Sequence, residues 1–190
     1  NVVSSGLLLT RIRMSCLPIQ GERRRISVLF ADIENSTKLA MSHEPEDANL
    51  IVADVLRTMT ESVEQQGGTV EQTRGDGIVA LFGARSAHED HAVRACIAAL
   101  NMQRELAAMA ESLSARAGMP IRIRVGVNSG DGLVRAASFD TPTNYTADGP
   151  TTNIAAKLEE HAQAGAVLVT AEVVRLVEGY IETRPCGTLR

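Results

Sequence analysis

Ile26-Ser27-Val28-Leu29-Phe30-Ala31-Asp32-Ile33-Glu34-Asn35-Ser36-Thr37 is a short apolar, β-prone run that stops at an aspartate and gives way to polar residues. Its apolar residues do not alternate strictly with polar ones, which predicts a strand from Ile26 to Ala31 buried on both faces. The polar break from Asp32 to Thr37 then turns toward a helix. Pro45 suits a first helical turn, and Leu50, Val52, Val55, Leu56, Met59 and Val63 recur at helical spacing up to Gly67-Gly68.

Farther along, Thr69 to Thr73 and Ile78 to Phe82 are β-prone runs separated by Arg74-Gly75-Asp76-Gly77, a tight hairpin signal that puts Asp76 at the tip. Ser86 with Glu89 forms a capping box that predicts a helix start there, running through Val93, Ile97, Leu100 and Leu106 toward Gly118. Ile121 to Val127 alternates apolar and basic residues as a half-exposed strand, and Gly130-Asp131-Gly132 predicts a turn to a partner strand at Leu133-Val134. Ala136 to Pro150 is polar and reads as a loop or arm. A helix over about Thr151 to Ala162, a strand at Val167 to Val169 and a helix from Thr170 complete the pattern. Hairpin pairs interleaved with long helices predict an α+β fold, a mostly antiparallel sheet covered by helices.

At 190 residues and 44% apolar the chain suits one domain, at 23–190, preceded by an extension or linker at 1–22. A net charge of -4 and only 3% aromatic residues argue against a nucleic-acid partner, since both the long-range field and the stacking platforms are missing. The apolar stretch from Val2 to Leu9 is too short to span a bilayer, so no membrane partner is expected for this segment. Cys16, Cys96 and Cys186 are scattered, giving neither a disulfide framework nor metal-ligand spacing, and imply a reducing cytoplasm. The chain opens on Asn1 and stops without an obvious terminus, so other domains of a longer chain are an expected partner.

Asp32 at a strand end and Asp76 at a hairpin tip can converge at one sheet edge. Like charges brought so close repel unless cations neutralise them, and Mg²⁺ is a natural partner for a few carboxylates plus phosphate oxygens. Taken singly, Asp32 is equally a helix cap and Asp76 a turn former. The backbone N–H groups after Asp32 can cradle a triphosphate, although Asn35, Ser36 and Thr37 also read as ordinary cap residues. Asn153 and Lys157, four residues apart, share a helical face that suits a ribose and a phosphate or simply faces solvent. His88 and His91 read as solvated residues of a first helical turn, and Arg23-Arg24-Arg25 as a solvated lead into the first strand.

Four stretches, Val28 to Glu34, Thr73 to Gly77, Arg124 to Gly130 and Asn153 to Glu159, resemble in order and separation the signature motifs of class III adenylyl and guanylyl cyclase catalytic domains. The resemblance implies a ferredoxin-like α+β domain that pairs head to tail as a homodimer with shared active sites. It implies that Asp32, Ile33 and Asp76 hold two divalent ions, Mg²⁺ or Mn²⁺. Glu34, Asn35, Ser36 and Thr37 match the phosphate loop, Gln72 and Thr146 the base-reading positions, and Asn153 and Lys157 the catalytic pair. The implied reaction converts ATP to 3′,5′-cyclic AMP and pyrophosphate, with GTP as the alternative substrate.

Two departures bear on activity. Gln72 stands where the family usually has Lys or Glu, and its amide offers both a donor and an acceptor. Lys157 replaces the usual Arg and loses the planar fork; a lost preorganised donor costs on the order of 3 kcal/mol, which predicts a slow enzyme. The family's final strands are also absent after Arg190. These departures support a competing expectation, a degenerate nucleotide-binding or dimerisation module that regulates a neighbouring domain. A diguanylate cyclase relative is disfavoured, because the hairpin lacks that family's Gly-Gly-Asp/Glu-Glu-Phe turn.

Overall fold

A computed structural model describes residues 21–136 and 145–188. The stretch from Val2 to Leu9, Cys16 and most of the polar segment after Ala136 lie outside the described residues. The elements are β1 (Glu22–Ile33), α1 (Ser36–Ser42), α2 (Pro45–Gln65), β2 (Thr69–Arg74), β3 (Gly77–Phe82), α3 (His91–Ala108), α4 (Ala110–Ala117), β4 (Ile123–Ala136), β5 (Tyr145–Asp148), α5 (Pro150–His161), β6 (Val167–Val169) and α6 (Ala171–Leu176). The sheet runs β2-β3-β1-β4-β5, with β6 also on β4. Its pairs are antiparallel except β4 with β6. The β1-α2-β2-β3-α3-β4 core in the order β2-β3-β1-β4 is the ferredoxin-like arrangement, so the α+β expectation holds.

β1 is buried on both faces from Ile26 to Ala31, as its unalternating sequence predicts. Leu29, Ala31 and Ile33 face a core built with α2, α3, α4 and α6, including Val55, Met59, Ala99, Met102 and Leu113. Ile26, Val28 and Phe30 face a smaller core with Val79, Leu81, Ala147 and Ala155. This two-sided burial fixes the depth and direction of β1, and therefore where its last carboxylate emerges.

Three sequence expectations are corrected. The first concerns the turn at Gly130-Asp131-Gly132: β4 instead runs straight through it, pairing with β1 from Glu22↔Val134 to Ile33↔Ile123. A Cβ on Gly130 would come within 2.7 Å of the Thr151 hydroxyl, and one on Gly132 within 2.7 Å of Ile26. These glycines admit close neighbours and do not bend the chain, and Leu133-Val134 pairs with Glu22-Arg23 on β1 and Ala147-Asp148 on β5.

The second is the start of α3, which falls at His91 and not at the Ser86/Glu89 box; an Asp90–Arg94 ion pair of 2.8 Å braces this turn. The helical pattern toward Gly118 is interrupted at Met109, which separates α3 from α4. The third is His91 itself, which is buried at 5% exposure; its Nδ1 lies 2.8 Å from the Ser27 hydroxyl, which lies 2.6 Å from that of Ser129. The helix starts where this ring enters the core, a position local capping signals do not encode. The basic lead-in is also held: Arg24 donates to the Ala84 carbonyl at 2.8 Å, and Arg25 pairs with Glu172.

Candidate active site

Asp32 is the penultimate residue of β1, opposite Gly77 on one side and Arg124 on the other. Asp76 lies in the turn between β2 and β3, and its carbonyl accepts the Ile33 N–H at 3.2 Å. Gly77 makes this approach possible: a Cβ there would sit 2.5 Å from the Ala31 carbonyl oxygen and 2.8 Å from Asp32 Oδ1. The hairpin tip therefore presses on the end of β1 and brings the two carboxyl groups together. Burial raises the Asp32 carboxyl above its ordinary range and the Asp76 charge adds to this, while a hydrogen bond from Arg124 opposes them.

Asn35 follows in the left-handed conformation at φ 58, the one positive-φ non-glycine among the described residues. It swings the chain from β1 into α1. The Ser36 hydroxyl donates to Asp76 Oδ2 and ties the start of α1 to the hairpin. The first intrahelical bond runs from Leu39 N–H to the Asn35 carbonyl, which leaves the N–H groups of Ser36, Thr37 and Lys38 in the open first turn. The phosphate-loop expectation narrows here. The N–H of Ile33 is spent on Asp76 and that of Glu34 on the Arg122 carbonyl at 2.9 Å, so neither can cradle an anion as the chain stands.

Asp32, Ile33, Asn35, Ser36, Thr37, Lys38 and Asp76 line one open cleft of about 700 Å³, and Glu34 does not line it. Arg124, to which the sequence reading gave no site role, also lines this cleft. Its guanidinium reaches Asp32 at 2.9 Å and Glu159 at 3.0 Å. Glu159 is itself raised by burial, with Arg124 opposing. In the sequence Arg124 was legible as a basic residue of an alternating strand and as the first residue of one signature stretch; its place on Asp32 follows from the β1–β4 register.

The donor set fits a hard divalent cation. Two carboxylates meet in an open cleft beside uncommitted backbone donors, which suits an ion that completes its shell with water and phosphate oxygens. Among the described residues no group of three or more His, Cys, Asp and Glu side chains forms a closed cage.

The remaining predicted residues stand apart from this cleft. Asn153 and Lys157 are exposed on one face of α5, and Lys157 borders a separate groove with Ile154, His161 and Leu168. Gln72 is exposed on β2, where its side-chain carbonyl accepts from Arg74 Nε at 3.3 Å, and Thr146 is half-buried on β5 opposite Arg135. A bulge between Val70 and Gln72 frees Glu71, whose carboxylate accepts the Ala147 N–H at 3.2 Å and bridges β2 to β5. Gln72 and Thr146 thus flank a bridge that the sequence did not reveal.

The adenylate and guanylate cyclase catalytic domain profile matches residues 20–188. Adenylate cyclase 1 of Rhizobium meliloti (strain 1021) is 29% identical over 171 residues, 88% of this chain and 26% of that relative. The chain thus spans about a quarter of that relative's length. The crystal structure of the adenylyl cyclase CyaB from P. aeruginosa superposes with a TM-score of 0.82 at 28% identity, covering 89% of this chain and 88% of that one. The guanylyl cyclase Cya2 shares the fold at a TM-score of 0.78 and 24% identity, with 89% of each chain covered.

Proposed function

The chain belongs to the adenylate and guanylate cyclase catalytic domain family, and from that premise we propose that it converts ATP to 3′,5′-cyclic AMP and pyrophosphate, slowly, as a head-to-tail homodimer. The observation that carries the proposal is the meeting of Asp32 and Asp76 in one cleft beside the open first turn of α1. Held by Asp32 and Asp76 with the Ile33 carbonyl, two Mg²⁺ or Mn²⁺ ions would supply charge neutralisation and lower the pKa of the ribose 3′-hydroxyl.

The N–H groups of Ser36, Thr37 and Lys38 receive the anionic phosphates, while Ser36 holds the Asp76 carboxylate in place. Asn153 orients the ribose, Lys157 offers positive charge to the α-phosphate, and Gln72 and Thr146 read the base. These four lie outside the Asp32 cleft of their own chain, so they are assigned to the cleft of a second copy. The 3′-oxygen displaces pyrophosphate from the α-phosphorus, and its proton passes to solvent.

The test is to incubate the purified protein with ATP or GTP and Mn²⁺ and measure cyclic nucleotide, alongside Asp32→Ala and Asp76→Ala. We expect product from ATP and none from either variant. Undiminished turnover in either variant overturns the assignment of the carboxylates.

Two observations favour a second reading, a regulatory module that binds nucleotide or only dimerises. Arg124 already occupies Asp32, and Lys157 lacks the bidentate fork. Nucleotide binding with no product from ATP or GTP would select that reading.

A further inference from the structure

We infer that Arg74 is a specificity-determining residue: by holding the carbonyl of the Gln72 side chain it makes that amide a donor toward the base, and so selects adenine over guanine. This rests on the reading of Gln72 as base-facing. A free glutamine amide is ambiguous, because a half-turn exchanges its carbonyl and its NH₂. Arg74 Nε lies 3.3 Å from Gln72 Oε1. A guanidinium has donors and no acceptor, so the amide atom facing it must be the oxygen.

Arg74 is itself held by a second, independent contact. Its guanidinium carbon stands 5.4 Å from the centroid of the Phe30 ring, within cation–π range. Phe30 is buried in the core that β1 and β3 share, at 7% exposure. The orientation of the Gln72 amide is therefore tied to the packed sheet through one planar side chain.

The consequence follows from the purine edges. An outward NH₂ donates to adenine N1, which is an acceptor. Guanine carries N1–H where adenine carries the N1 acceptor, with its exocyclic amine beside it and its O6 acceptor in the place of the adenine amine, so an NH₂ aimed at position 1 meets a donor. Thr146, beyond the Glu71–Ala147 bridge, carries a hydroxyl that can accept from the adenine amine. Lys or Glu at position 72 would fix donor or acceptor character by charge alone; here a neighbour two residues away fixes it.

The experiment compares wild type, Arg74→Ala and Arg74→Met. Methionine keeps an apolar stem over Phe30 and removes the donor, so it serves if the alanine variant folds poorly. The readout is the ratio of kcat/KM for ATP to that for GTP with Mn²⁺. We expect the ratio to fall about three- to tenfold in both variants, chiefly through a lower KM for GTP. A ratio unchanged in both overturns the inference, since a purely structural role would weaken both nucleotides together. If wild type makes no product, the cyclase reading fails, and the same ratio is read from displacement of a fluorescent purine nucleotide by ATP and by GTP. A displacement ratio that falls in the variants supports the inference; an equal ratio, or no displacement by either nucleotide, overturns it.

Discussion

The end of β1 and the outer face of α5 carry the same kind of residue, small and long polar side chains, yet the fold treats them differently. Around Asp32 the charged side chains hold one another: Asp76 stands beside it, Ser36 donates to Asp76, and Arg124 lies between Asp32 and Glu159. On α5, Asn153 and Lys157 stand exposed with the apolar Ile154 between them at 42% exposure. One region is assembled by its own chain, and the other is aimed outward. On the proposed head-to-tail pairing, each copy brings a finished metal-holding half and an unfinished half that acts only on a partner.

The largest effect is expected when the two halves are damaged separately. Asp32→Ala alone and the double variant Asn153→Ala/Lys157→Ala alone should each lose at least about a hundredfold in cyclic nucleotide formation. Mixed, they should recover up to about a quarter of wild-type activity, because about half of the dimers are then mixed and each mixed dimer keeps one of its two sites intact. No recovery on mixing, with the dimer demonstrated by sedimentation, would place both halves in one chain's site.

A smaller effect sharpens the outward half. Lys157→Arg restores a planar fork, and turnover with ATP should rise about tenfold or more with little change in KM. A rise in KM alone would mean that the side chain meets the ground state and not the developing charge.

The assembled half is tested through its closest contact. Gly77→Ala places a methyl against the Ala31 carbonyl and Asp32 Oδ1, at 2.5 and 2.8 Å before any shift. We expect a loss of about 1–3 kcal/mol in urea unfolding, together with weaker Mn²⁺ binding as the hairpin tip backs away from β1. Unchanged stability and Mn²⁺ affinity would show that the tip does not need this contact.

The smallest expected effect is a pH dependence away from both regions. Burial lowers the His91 pKa from its ordinary 6.5, and the nearby Arg25 charge lowers it further against Asp90. A folded pKa below the unfolded one means that the neutral ring's stabilisation is complete above about 6.5 and fades as pH falls from there toward the lower folded value. Thermal unfolding between pH 7.5 and 5 should show this acid loss, and His91→Gln should flatten part of it. An equal slope in the variant would show that other groups carry the dependence.

Much of the fold was legible because local periodicity and burial agree. The unalternating run at Ile26 to Ala31, the helix ending before Gly67-Gly68 and the hairpin with Asp76 at its tip appear as the residues predict. The misreadings share a cause. A Ser86/Glu89 box and a Gly130-Asp131-Gly132 turn are valid local signals, but the entry of His91 into the core and the 12-residue β1 ladder outweighed them. His91 looked solvated because nothing in its own neighbourhood announces Ser27, 64 residues away.

By itself, the sequence determined the family, the order of the core elements and which two aspartates can meet at the sheet edge, because residue type, period and motif spacing are properties of the linear chain. Only the tertiary structure decided that Arg124 stands on Asp32, that Ile33 and Glu34 have spent their N–H groups, and that Arg74 turns the Gln72 amide. Each of those depends on strand register or side-chain orientation. A register is chosen by the summed burial of a whole sheet, which no local stretch of residues can report.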